Sequence, residues 1–169
     1  MDTTGRWLNL SRRGLTEVPG FVRDLVHVEG LDLSENHLTT LPGWIGELTN
    51  LTTLQVAYNR IRAIPDTIDG ATRLEDLILS FNELTELPGT LGRLRHLVYL
   101  KASANRLTTV PGSLGELSEL TLLNLMRNRL TALPNSLARL RKLKDLNVRE
   151  NPMRRLGAVG RRDDIMIWR

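Results

Sequence analysis

Residues 74–96 read LEDLILSFNELTELPGTLGRLRH, residues 97–119 read LVYLKASANRLTTVPGSLGELSE, and residues 120–142 read LTLLNLMRNRLTALPNSLARLRK. The three lines superimpose without a gap, and the register extends outward in both directions. Asn36, Asn59, Asn82, Asn105, Asn128 and Asn151 recur every 23 residues, and Pro19, Pro42, Pro65, Pro88, Pro111 and Pro134 keep the same period. Around each asparagine stands LxxLxLxxNxL, as in Leu97, Leu100, Ala102, Asn105 and Leu107. Downstream the chain reads LTxLPxxLGxLxx, seen in LTTLPGWIGELTN from Leu38 and LTELPGTLGRLRH from Leu84. Two registers locked together over six copies define seven similar units, and such a period is the mark of a repeat architecture.

Each fixed position has a physical reason. In the LxL part the residues alternate, so both leucines point to one face and the residue between them to the other, which predicts a short strand. The asparagine falls where the chain leaves the strand. Its amide both donates and accepts, so it can satisfy backbone groups of its own and adjacent turns that would otherwise be buried unpaired. The proline fixes φ at the start of the return segment, and Ile45 and Leu48, three apart, fit a short helical turn. A single unit leaves its leucine face open to water. Stacking buries that face between neighbours, at roughly 1.5–3 kcal/mol gross per leucine.

The pattern resembles the leucine-rich-repeat family, specifically the 23-residue LTxLPxxLGxL type of intracellular and bacterial members. The resemblance covers about residues 6–156 and implies an α/β fold. The expected form is a right-handed solenoid with a parallel β-sheet on its concave side and short helices on its convex side. Members of the family mostly bind proteins, so the resemblance implies a protein or peptide partner.

Departures from the pattern mark the ends of this single domain. In the first unit Arg13 stands where asparagine is expected, and residues 1–27 read as the N-terminal cap, followed by regular repeats over 28–156. Asn151 and Leu156 remain in phase, but Gly157 replaces proline and Gly160 replaces leucine. Residues 157–169 are therefore irregular. Ile165 and Ile167 alternate like Leu146 and Val148, 19 residues earlier, which predicts a shortened eighth strand over the sheet edge. A free C-terminal tail is the competing reading. It would present Asp163, Asp164 and Trp168 to a modifying enzyme and make the protein a carrier or precursor.

Because the leucines face inward, the residues between them line the concave face. Large apolar groups gather there in units three to six: Tyr58, Ile78, Phe81, Tyr99, Leu122 and Met126. Both tyrosines of the chain and one of its two phenylalanines fall in these columns. Exposed apolar groups clustered in this way suit an interaction site, with Asp76, Lys101 and Arg127 flanking it and setting orientation. The alternative is that neighbouring rings simply cover one another across strands. Strands about 4.8 Å apart make the four units roughly 15 Å wide, enough for a helix, a hairpin or a short tail. Phe21 and Trp44, at equivalent positions after their prolines, are expected to stack on the convex or flanking side, as local packing or as a secondary contact.

The remaining composition bounds the function by what it lacks. There is no cysteine, which points to a reducing compartment. Neither a signal peptide nor an apolar run of roughly 20 residues is present, and the expected location is the cytoplasm, away from membranes. His27, His37 and His96 occupy different repeat positions, so the period does not align them and no zinc pattern exists. Carboxylates are scattered, and no phosphate-binding glycine motif occurs. The sequence thus calls for no enzyme and no cofactor. Residues 1–126 carry 11 Lys/Arg and 15 Asp/Glu, net −4, and residues 127–169 carry 12 and 4, net +8. The basic end is either solvated charge or a docking point for something acidic. Its arginines lack interleaved aromatics, so nucleic acid has little support as a partner.

Overall fold

A computed structural model describes residues 5–169. Every LxL segment forms a three-residue strand: β1 Trp7–Asn9, β2 Gly30–Asp32, β3 Thr53–Gln55, β4 Asp76–Ile78, β5 Tyr99–Lys101, β6 Leu122–Asn124, β7 Asp145–Asn147 and β8 Met166–Trp168. They make one parallel sheet in chain order. The register follows the sequence period, with Leu31, Leu54, Leu77, Leu100, Leu123 and Leu146 aligned across the sheet. This is a leucine-rich-repeat solenoid. Its core is one continuous column of leucine, isoleucine and valine lying between the sheet and the return segments.

The return segments are five-residue 3-10 helices, from Gly20–Asp24 in the first turn to Gly157–Arg161 in the last. Five residues are too few for an α-helical ladder. The three-residue spacing of the apolar positions matches the three-residue turn of the 3-10 form. Ile68 is buried and accepts from Ala71 N–H, and Leu91 and Leu94 pair in the same way. The glycine after the buried aliphatic lets successive helices pack closely: a Cβ on Gly46 would lie 1.8 Å from the Thr67 carbonyl oxygen.

The asparagines bind each turn to its neighbour in one repeated geometry. Asn82 Nδ2 donates to Leu79 O at 3.1 Å on its own turn and to Val56 O at 2.9 Å on the preceding one. Its Oδ1 accepts from Ile61 N–H at 2.9 Å. The same bonds recur at Asn59, Asn105, Asn128 and Asn151. At Asn36 the Oδ1 also takes Arg13 N–H, at 3.0 Å. The amide always reaches back, and no earlier turn stands behind the first among the described residues, where Arg13 takes the asparagine's place.

Ahead of every asparagine position the backbone turns left-handed, at Arg12, Glu35, Tyr58, Phe81, Ala104, Arg127 and Glu150, with φ between 52° and 59°. No glycine marks this column, so the sequence did not reveal it. An L-residue in this conformation costs about 1–2 kcal/mol.

The last turn is two residues shorter than the rest. Leu156 starts its helix 22 residues after Pro134 starts the one before, and Ile167 lies opposite Leu146, 21 residues on. The eighth strand therefore forms, but not in the register expected from the sequence. Ile165 is buried just ahead of the strand, while Ile167, not Ile165, faces Leu146. Gly157, at φ 66°, enters the shortened turn where a Cβ would stand 2.7 Å from Leu133 O.

Two stability measurements test this account. Asn82→Ala leaves Ile61 N–H buried without a partner and is expected to lose about 2–4 kcal/mol in urea unfolding. Asn151→Ala, half-buried where water can substitute, should lose only about 1–2 kcal/mol. Equal losses would contradict the role assigned to burial. Ala104→Gly relieves a left-handed residue and should raise stability by about 0.5–1 kcal/mol, against the usual sign for Gly in a regular element. A lower urea midpoint would contradict it.

Candidate functional site

Parallel pairing turns positions within the repeat into columns on the concave sheet. Asp76, Tyr99 and Leu122 are direct register partners on β4, β5 and β6, and Ile78 is paired with Lys101 beside them. Met126 and Arg127 leave β6 on the same side, and Tyr58 and Phe81 occupy the left-handed positions after β3 and β4. The nine residues read from the sequence thus lie on one contiguous stretch of sheet. Tyr58, Phe81, Tyr99 and Arg127 are exposed, and Asp76, Ile78, Lys101, Leu122 and Met126 are half-buried.

The rings of Tyr58 and Phe81 stack, with centroids 4.3 Å apart and planes 9° from parallel. They still remain 54% and 38% exposed, and Tyr99 is 42% exposed. The two sequence readings are therefore both partly realised: two rings cover each other, yet the cluster keeps a large apolar surface in water. Under the patch, Ser80 and Ser103 are buried and bonded hydroxyl to hydroxyl at 2.9 Å. This gives it a rigid, satisfied floor.

Ion pairs bracket the aromatic pair along the same left-handed column. Arg12 binds Glu35 through two hydrogen bonds, Nε at 2.8 Å and Nη2 at 2.7 Å. Farther along, Arg127 Nε donates to Glu150 at 2.7 Å. Arg12 holds the Glu35 carboxyl below its ordinary range, mainly through the side-chain hydrogen bond. Arg127, expected to flank a partner, is thus already engaged within the protein. At the N-terminal end the Trp7 ring occupies the space that a Cβ on Gly30 would need.

Elsewhere the structure redistributes what the sequence singled out. Phe21 and Trp44 do not form the expected stack. Trp44 turns in to pack on the core while Phe21 is exposed, and the ring pair found among the described residues is that of Tyr58 with Phe81. In the C-terminal segment Arg162 clamps Asp164 through Nε at 2.9 Å and Nη2 at 2.5 Å, and its Nη1 reaches Leu140 O. Arg149 lies over the Trp168 ring, 4.3 Å from its centroid. Asp163 is exposed. Trp168, on β8, is tied to β7 by Val148 N–H at 2.8 Å. The segment is therefore a paired strand, not a free extension.

His27, His37 and His96 are all exposed and lie on separate turns. Among the described residues no group of His, Cys, Asp or Glu is placed to hold a metal ion, and no helix is long and apolar enough to cross a membrane.

With this geometry in hand, similarity to known proteins fixes the class. Residues 6–61 and 49–107 each match the family model described as leucine rich repeat. Together they cover more than half of the chain, and the protein belongs to that family. No curated protein matches it. Among solved structures, the plant peptide hormone receptor RGFR1 in complex with RGF2 is 26% identical, with a TM-score of 0.72, over 89% of this chain and 29% of that one. A leucine-rich-repeat protein of Leptospira interrogans is 24% identical, with a TM-score of 0.43, over 86% of this chain and 55% of that one. The chain thus spans about half the length of one and under a third of the other.

The Arg162–Asp164 clamp sets a pH test. Its hydrogen bond holds the Asp164 carboxyl below the ordinary range. A depressed folded-state value means the pair stabilises above the unfolded carboxylate range, and is lost as pH falls through the folded value. In an NMR titration the Asp164 carboxyl midpoint should move up in Arg162→Gln. An unchanged midpoint would mean that the clamp does not form in solution.

Proposed function

We infer that the chain is a non-catalytic protein-interaction module of the cytoplasm that holds a partner protein or peptide on its concave face. Tyr58, Phe81 and Tyr99 are its anchors. One observation carries the reading: three aromatic rings stand exposed on adjacent turns of a rigid sheet. Two of them occupy backbone positions where glycine would be the least strained residue. Neither the fold nor solubility calls for aromatic rings there, and rigid aromatic side chains are what binding hot spots are made of.

The half-buried Ile78, Leu122 and Met126 widen the apolar centre. Asp76 and Lys101 give it one charge of each sign, which favours an amphipathic segment over a purely apolar one. The family membership supports the general role. The receptor RGFR1, solved with RGF2, is an example of the same fold engaged with another molecule.

The expected result of Tyr58→Ala/Phe81→Ala/Tyr99→Ala is a folded protein with a partner lost. Stability should fall by only about 1–2 kcal/mol, the worth of one ring stack and some partly buried area. Affinity should fall by at least about 100-fold, since each central anchor contributes about 2 kcal/mol or more. Quantified affinity capture from the source organism, wild type against triple variant, reads this. Undiminished capture of every partner by a folded triple variant would remove the concave site.

A further inference from the structure

The shortened last turn leaves a second feature that the concave face does not use. Beyond Val148, and between the descending chain at Asn151–Leu156 and the helix Gly157–Arg161, lies a cavity of about 450 Å³. Four arginines line it: Arg154, Arg155, Arg161 and Arg169. None of the eleven ion pairs among the described residues includes any of the four. No carboxylate side chain lines the cavity. Its wall is apolar where Val148, Met153 and Leu156 close the end of the leucine column. A second hollow shares Arg155, Leu156, Gly157 and Arg161, so the feature continues around the helix as a groove.

These properties are specific to this turn. In each inner turn the corresponding ground is covered by the next turn, whose asparagine and leucine fill it. Gly157 and Gly160 add no side chain to the lining of the hollow, and the final helix buries only Val159. Four uncompensated guanidinium groups around a half-apolar hollow make a strong local positive potential. Each has planar geometry suited to a carboxylate.

The sheet edge adds a third element. Met166 N–H and Trp168 C=O point to β7. Backbone groups alternate direction along a strand, so Ile167 turns its N–H and C=O away from β7, two residues before Arg169, which lines the cavity. An extended chain can pair there.

We propose that this C-terminal groove is a second, independent docking site, and that its ligand is an acidic peptide segment carrying an aliphatic side chain. The carboxylates meet the four arginines, and the aliphatic group packs on Met153 and Leu156. An extended backbone can pair with Ile167. The apolar wall selects a peptide over a nucleic-acid phosphate, which would use the charge and leave the wall bare. The ring at this end, Trp168, already carries Arg149 over its face.

Fluorescence anisotropy with the labelled peptide Glu-Asp-Leu-Asp-Glu and the full chain tests this. Saturable binding is expected, weakened by salt, and at least about tenfold weaker in Arg155→Glu/Arg161→Glu. Both side chains are exposed, so thermal unfolding should be unchanged; if it is not, Arg155→Gln/Arg161→Gln carries the same comparison. Glu-Asp-Gly-Asp-Glu should bind about tenfold more weakly, for want of the aliphatic group. The triple alanine variant of the concave rings should bind the peptide as the wild type does, which separates the two sites. No binding, equal binding of the glycine peptide, or full displacement by a short oligothymidylate would overturn the proposal.

Discussion

The structure depends on one interaction, the asparagine amide that joins each turn to the one before it. A solenoid of three-residue strands has little sheet to hold it together, and every turn off the strand leaves buried N–H and C=O groups with no ladder partner. An amide is the group that meets both needs at once, since it carries a donor pair and an acceptor on one rigid plane. Its Nδ2 spans the carbonyls of two turns and its Oδ1 caps an N–H of the earlier turn. An aspartate would lack the donors, and a glutamine would place them one carbon too far. The leucines supply most of the burial, but burial has no direction. The amide is what fixes the spacing and phase of successive turns, and so aligns residues 23 apart into columns.

Once the columns exist, most of their members are free to vary. The left-handed position ahead of the asparagine shows how much. It accepts arginine, glutamate, tyrosine, phenylalanine and alanine at nearly the same φ, because the turn on either side holds the backbone there whatever the side chain. The same column reads, in order, an ion pair, an aromatic pair, alanine and a second ion pair. Neighbours in it behave as facing partners across a sheet would. Partner choice in such a fold is written in these columns, while the framework beneath them stays constant.

This division explains what was legible in the sequence. The 23-residue period gave strands, register, core and the concave columns, because each follows from alternation and from burial that must repeat. Arg13 was legible as a departure from the asparagine column for the same reason. The left-handed column was not, since the usual signal is glycine and none stands there; the constraint comes from neighbouring turns. The eighth strand was legible as a strand but not in its register. The sequence shows that residues are missing from the last turn, but not where. One is lost at Leu156 and one ahead of Met166, and Ile165 shifts out of the strand accordingly. The engagement of Asp164 by Arg162 and of Trp168 by Arg149 depends on that register, so it could not be read before it. The expected Phe21–Trp44 stack failed because equivalent positions share a location, while each ring chooses its own neighbours, and Trp44 finds the core.

The two ends of the solenoid show what relaxing the repeat constraint makes possible. In the first described turn Arg13 stands in place of the amide, and Trp7 lies over Gly30. At the C-terminal end the chain drops two residues. The 22-residue step puts Leu156, not Gly157, in the place of the proline and Val159, not Gly160, in the place of the buried leucine. The last leucines are closed by a single buried valine and a short strand. The same relaxation that ends the stack also frees its charges. Within the repeats, ion pairs form between residues 21–24 apart because a carboxylate stands one turn away, as Arg93–Asp69 and Lys142–Glu119 do. In the last turn Arg162 pairs with Asp164, while Arg154, Arg155, Arg161 and Arg169 have no ion-pair partner among the described residues. The basic stretch thus follows turns that are net acidic, and four of its arginines lack counter-charges within the described structure. That makes it the place on the described structure where an acidic segment from outside can supply them instead.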